Sequence, residues 1–207
     1  MLHRLFFILL SILIVTLNGC SSSGHVKETG KKYVTAPPEG KAQVVFIRSS
    51  GFGGAVSAPI IEVTDNQIKP VTVLGAKQKT AYIVEPGLHD FIVTHESADL
   101  FKADLAENKT YFYMITPRMG FWKARFTPKA VKKSGGIYQV NSEEFSEIRE
   151  SVGLSENKPS VLIWFDNNRD SIYEKLESAK KAWVSESQET KDLRTLVPED
   201  GINTYLK

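Results

Sequence analysis

Three regimes of hydrophobic patterning follow one another along the chain. Residues 5–17 form an uncharged apolar run broken only by Ser11 and Thr16, with His3 and Arg4 before it. Crossing a bilayer takes roughly 20 apolar residues, so this run is too short to span and fits the apolar core of a signal peptide, residues 1–19. From Ala42 to about Lys133, short β-branched and aromatic runs predict strands over 42–49, 60–64, 71–74, 80–85, 88–95 and 111–116. Asp65-Asn66 and Pro86-Gly87 are turn chemistry between them, proline fixing φ and glycine taking φ above zero. Short strands divided by such turns predict a mainly β fold, an antiparallel β-sandwich over residues 41–135.

Past Gly135-Gly136 the period changes, and residues 136–207 are expected to be a helical carboxyl-terminal region. Asn141 can cap a short helix with Glu144 at its third position, Val140 stapling onto Phe145, so that Phe145, Ile148 and Val152 share a face. Further on, Leu162, Phe165, Arg169, Ile172, Leu176, Ala179 and Trp183 alternate by three and four, a helical stripe. A strand over 161–165 followed by a helix from about Asn168 is the competing parse. Val44 and Phe46 face one side of their strand and Val45 and Ile47 the other, and Tyr111, Tyr113 and Ile115 oppose Phe112 and Met114 in the same way. Strands apolar on both faces need cover beyond the opposing sheet, and the stripe is the expected partner.

The chain has 26 basic and 24 acidic side chains, a formal +2, too little for general attraction to nucleic acid, which is not expected as a partner. The balance is uneven: residues 20–140 carry 16 basic and 10 acidic groups, net +6, and residues 141–207 carry 9 and 14, net −5. That asymmetry favours docking of the two regions on one another. Residues 20–40 hold few apolar side chains and read as a flexible tether, on the order of 25 Å end to end.

Cys20 is the only cysteine, so an internal disulfide is impossible and the thiol needs another purpose. Leu17-Asn18-Gly19-Cys20 resembles the lipobox of bacterial lipoproteins, although Asn18 stands where a small or β-branched residue is usual. The resemblance implies cleavage before Cys20, a diacylated thiol and an acylated amino group, hence a chain held to a membrane by its amino-terminal lipid. Ser21 resembles the default outer-membrane address, which implies the cell envelope and, in a Gram-negative host, the periplasmic face of the outer membrane.

The segment 42–48, the Pro86-Gly87-Leu88-His89 turn with Phe91 and Val93 after it, and Asn108-Lys109-Thr110-Tyr111-Phe112-Tyr113 resemble the bacterial lipoprotein domain called domain of unknown function 2846. That domain is similar to prealbumin- and PEGA-type sandwiches, and the resemblance covers residues 41–133. Asn108 stands where glycine is expected, and it too tolerates the left-handed region. The resemblance implies no catalytic residue.

Candidate chemistry is sparse. Ser50-Gly51-Phe52-Gly53-Gly54 lacks the lysine and following helix of a phosphate loop and reads as a mobile hairpin loop. His89 and His95 would share a strand face, but Phe91 and Val93 lie between them, so no metal and no cofactor is expected. Familiar hydrolase motifs are lacking, and the chain is not expected to be an enzyme. Lys123, Arg125, Lys129, Lys132 and Lys133 put five cations in eleven residues beside Phe121 and Trp122, a possible binding strip for anionic lipid or envelope polysaccharide. The expected function is a non-catalytic structural or interaction module of the envelope, with an envelope protein as possible partner. The alternative is a glycan- or lipid-binding module that uses this strip.

Overall fold

The computed structural model describes residues 24–64, 67–120 and 124–203, so Cys20 and the Asp65-Asn66 turn lie outside the described residues. The strands run in chain order as β1 (Val26–Glu28), β2 (Ala42–Arg48), β3 (Ala58–Thr64), β4 (Gln67–Leu74), β5 (Gln78–Val84), β6 (Gly87–Thr94), β7 (Ala98–Leu105), β8 (Thr110–Met119), β9 (Ala124–Lys132), β10 (Tyr138–Gln139), β11 (Gly153–Asn157) and β12 (Thr195–Leu196). Three helices follow the sandwich strands: α1 (Glu143–Ser151), α2 (Ser160–Ser185) and α3 (Gln188–Leu193). The protein is therefore mainly β with carboxyl-terminal helices.

Two sheets face each other, one ordered β1-β11-β5-β2-β8-β9-β10 and the other β12-β7-β6-β3-β4. They are mixed rather than purely antiparallel: β2 runs parallel to β8, β11 to β5, β10 to β9 and β12 to β7. All seven residues of β2 are buried, as a central strand covered on both faces requires. Between the sheets Phe46 stacks on Tyr113, and Phe101 meets the Tyr113 ring edge-on at 4.7 Å, among Val44, Ile60, Phe91 and Tyr111.

Pro86-Gly87 is a corner and not a hairpin. It carries the chain from β5 in one sheet to β6 in the other, with Gly87 at φ +115°, a conformation open to glycine. Asn108 takes the left-handed region at φ +60°, as read from its place before Lys109. The glycine-rich segment 50–54 likewise crosses between sheets, and it is organised around a side chain. Arg48 is fully buried and donates to the carbonyls of Val56 at 2.5 Å, Gly53 at 2.8 Å and Phe52 at 3.2 Å.

The carboxyl-terminal region is built into the sandwich. It supplies β11 to one sheet and β12 to the other, so the division at residues 135 and 136 does not separate two bodies. The tether expected over 20–40 likewise joins the fold from residue 24, since β1 pairs with β11 and Val34 packs on an apolar cluster.

Residues 161–165 are helical, within α2, and Val161, Phe165, Ile172, Leu176 and Ala179 are its buried positions. Leu162 and Arg169 of the expected stripe face solvent, Arg169 lying over the Phe165 ring. The stripe covers the outer face of the five-stranded sheet, on Ile61, Val63, Ile92 and Leu100. The strands whose second face called for cover are in the other sheet, and there Val45, Ile47, Phe112 and Met114 lie under Val140, Phe145 and Val152. Ser142, one residue beyond the expected Asn141, caps α1 and accepts from the Phe145 amide at 3.2 Å.

Candidate functional site

Phe121, Trp122 and Lys123 of the basic strip lie outside the described residues. The rest of the strip does not form one surface. Arg125 and Lys129 fall on one side of β9, whereas Lys132 falls on the other, with Phe126 and Ala130. Arg125 is bonded to Glu96 at 2.7 Å, and Lys132 to Asp200 at 2.8 Å and to the carbonyl of Thr195 at 2.6 Å. Lys129 sits 5.9 Å from the centre of the Tyr138 ring. Lys133 is exposed, and its backbone amide donates to Asp200. Asp200 is itself buried and also accepts from the Val197 amide, so Lys132 and Lys133 together pin the carboxyl-terminal turn against β9.

A buried polar cluster that the sequence reading missed sits between the sheets near the Pro86 corner. Glu62 is 4% exposed, and one carboxylate oxygen accepts from Tyr82 at 2.6 Å while the other faces His89 Nδ1 at 2.7 Å. The second ring nitrogen of His89 faces the carbonyl of Glu85 at 2.9 Å. Two acceptors call for two N–H groups, the charged imidazolium. Burial opposes that charge, but the bonds to Glu62 and Glu85 outweigh it and raise the His89 pKa above its ordinary value. Burial likewise pushes Glu62 up, and the hydrogen bonds of His89 and Tyr82 with the Lys69 charge more than reverse this, holding it below the usual carboxylate range. Both carboxylate oxygens and both ring nitrogens are engaged with protein groups, so the arrangement locks the corner. The signal in the sequence was a lone glutamate in the apolar run Ile60-Ile61-Glu62-Val63.

Lys79 is the second missed group. It is 1% exposed, donates to the carbonyl of Arg149, and has its pKa pushed down to about 8 by burial and then by Arg149, with Lys32 adding to the effect and Glu150 opposing it. A small cavity of about 20 Å³ lies beside it, lined by Lys32, Phe112 and Arg149 among others, room for a water-sized species only.

A cleft of about 340 Å³ lies between α2 and the loop before β3, reached by the amino-terminal strand through His25. His25, Ser57, His95, Trp164, Asn168 and Lys175 are among its walls. His25 meets the Trp164 ring edge-on at 6.5 Å, and Lys175 donates to the carbonyl of His95 at 2.7 Å. An indole beside several polar groups is a lining suited to a neutral polar ligand. His89 lies near the start of β6 and His95 just past its end, one in the buried cluster and one at the cleft. Among the described residues no group of three or more His, Cys, Asp or Glu could hold a metal ion, and no helix is long and apolar enough to cross a membrane. Comparison with protein-family models, with curated proteins and with solved structures finds no match to this chain.

Proposed function

We propose that this is a bacterial envelope lipoprotein of the kind containing domain of unknown function 2846, anchored through lipid on Cys20 and serving as a non-catalytic structural or interaction module at the outer membrane. The observation that carries the reading is the order of features at the amino terminus. A short apolar run ends in Gly19 and the sole cysteine, and β1 begins six residues later at Val26. Several acyl chains, at about 0.8 kcal/mol per buried methylene, make such anchoring effectively permanent. Feeding cells an alkyne fatty acid tests it: the wild-type chain should be tagged and Cys20→Ser should not. Equal tagging of both refutes lipidation at this residue.

The cleft beside Trp164 favours a second reading, a module that binds an envelope glycan. Its support is the combination of an aromatic wall with Ser57, Asn168 and Lys175, in place of the strip whose Arg125 and Lys132 are held in ion pairs. Saccharide fragments of the envelope titrated into the soluble form starting at Ser21 should quench tryptophan emission, and Asn168→Ala should weaken the effect. Titration without any change in emission or heat would remove this reading.

A further inference from the structure

The anchor proposed for Cys20 constrains which face of the protein meets the membrane, and the residues at that face have a composition of their own. Four peptide units join Cys20 to Gly24, at most about 15 Å of chain. Gly24 is fastened to the start of α2: its carbonyl faces Lys158 Nζ at 3.4 Å and Ser160 Oγ at 3.5 Å, and the Lys158 amide donates to the carbonyl of His25 at 2.8 Å. The first turn of α2 therefore stands beside the point where the chain leaves for the membrane.

That turn exposes aliphatic surface. Leu162 is 58% and Ile163 62% exposed, consecutive residues on the side of α2 away from the sheet, while the buried side is already occupied by Val161 and Phe165. Lys158, the residue before Pro159, is exposed next to them. Asp166 and Asp170 follow at one and two helical turns from Leu162, both exposed. Arg169 lies between them and pairs with Asp166 at 2.9 Å, so the pattern is apolar and basic at the start of the helix and densely charged beyond it.

We infer that the first turn of α2, with Leu162 and Ile163 inserted and Lys158 at headgroup level, is a second membrane contact that seats the body against the bilayer surface. The inference rests on the proposed anchoring at Cys20. An interfacial contact of this kind penetrates roughly 5–10 Å, within reach of a turn held about 15 Å or less of chain from the acylated residue. Lysine beside anionic headgroups is favourable, and the cost of desolvating the charged Asp166, Arg169 and Asp170 limits insertion to the first turn, so α2 rises away from the surface. A second protein is the poorer occupant. Two aliphatic side chains are far short of the roughly 800 Å² per partner that a stable interface buries, whereas a tethered contact needs little area because the anchor already supplies a high local concentration.

The test uses the full acylated chain reconstituted in phosphatidylethanolamine–phosphatidylglycerol vesicles. With Cys20 acylated, Ile163→Cys offers one free thiol for a nitroxide, and Leu162→Cys repeats the measurement should one variant be poorly folded. Val184→Cys is the reference, 79% exposed on the same helix and about 30 Å farther along it. Labels at 162 and 163 should collide several-fold more with dissolved oxygen than with an aqueous nickel chelate, and the label at 184 should show the reverse. Equally aqueous labels at all three positions, on protein that still floats with the vesicles, overturn the docking face and leave the anchor standing. Nitroxide labelling of the wild-type chain, or its release by a carbonate wash, overturns the anchor and the docking face with it.

Discussion

The two sheets turn apolar outer faces in opposite directions, and the carboxyl-terminal region covers both by different means. On the five-stranded sheet, α2 lays four aliphatic or aromatic residues over Ile61, Val63, Ile92 and Leu100, and these form one apolar cluster. On the seven-stranded sheet, the nine-residue α1 brings Phe145 and the half-buried Ile148, its flanking segments bring Val140 and Val152, and Val34 and Ile202 join from the chain before β2 and from near the carboxyl terminus. The short helix leaves a margin, and there Lys79 lies buried with its ammonium on the Arg149 carbonyl. A long amphipathic helix can demand aliphatic residues along its whole footprint. A patchwork of short pieces tolerates a lysine stem wherever a carbonyl at the seam can receive the charge.

The largest effect should come from removing both covers. A chain ending at Gly136 loses α1, α2, β11 and β12, and it exposes Val45, Ile47, Phe112 and Met114 on one face and Ile61, Val63, Ile92 and Leu100 on the other. At roughly 1.5–3 kcal/mol for each side chain, the loss equals or exceeds the whole stability of a typical domain. Such a chain is expected to aggregate or to show no cooperative melting transition in calorimetry. Cooperative melting near the temperature of the full soluble form would mean that the covers are accessories.

Single truncations then compare the covers. Leu176→Ala in α2 should cost about 2–5 kcal/mol and Phe145→Ala in α1 about 3–5 kcal/mol, read from chemical denaturation. Phe145 meets Phe112 edge-on at 5.2 Å and is the one fully buried side chain of the short helix, with Ile148 half-buried beside it. A cost under about 1 kcal/mol for Phe145→Ala would show that the flanking segments, and not α1, seal that face.

The need for cover was legible in the sequence, and its assignment was not. Alternation along β2 and β8 says that both faces are apolar, yet nothing in a 3.6-residue period says which sheet a helix will reach. The α2 stripe went to the sheet whose outward residues, such as Ile92 and Leu100, were scattered among polar ones. Strand β7 was missed because Asp99, Lys102 and Asp104 break its run, although Phe101, Ala103 and Leu105 still fill the central core. Strands β1, β11 and β12 are short and polar, and they exist because an edge is available to pair with. The net charges of +6 and −5 predicted docking, but the docking rests on the apolar covers, and ion pairs between the regions include Lys132 with Asp200 and the reversed pair Arg194 with Asp99. Of the candidate groups, the buried Glu62, Lys79 and Arg48 were invisible as such, because a charged residue in a strand reads as solvent-facing until its partners are placed.

Lys79 gives the margin under α1 a measurable signature. Its pKa is about 8 in the fold against 10.5 in an unfolded chain, so burial of the charge is a full penalty below pH 8 and is relieved as pH rises toward 10.5. Stability should therefore increase with pH across that window, by up to about 3 kcal/mol. Lys79→Met should be more stable than wild type at pH 7 and lose this slope. A substitution that destabilises at pH 7 and keeps the slope would place the effect elsewhere.

The cluster around Glu62 sharpens the comparison from the other side, because it is a buried charge with partners and must answer to pH in the opposite sense. His89 has a folded pKa above its unfolded 6.5, so its contribution is complete below pH 6.5 and is lost as pH rises through the folded value. Glu62 has a folded pKa below its unfolded 4.5, so its contribution is present above pH 4.5 and is lost as pH falls through the depressed value. Between those limits the pair is intact. Replacing His89 with Gln removes the charge but keeps a donor toward Glu62, whose second oxygen still accepts from Tyr82, so the cost at pH 6 should be only about 1–2 kcal/mol. Lys69, two-thirds exposed at 3.5 Å, adds little. Denaturation of wild type and His89→Gln from pH 6 upward should show the gap closing as the imidazole loses its proton. A gap that stays constant over that range would mean that His89 is neutral in the fold and that Glu62 is held by Tyr82 alone.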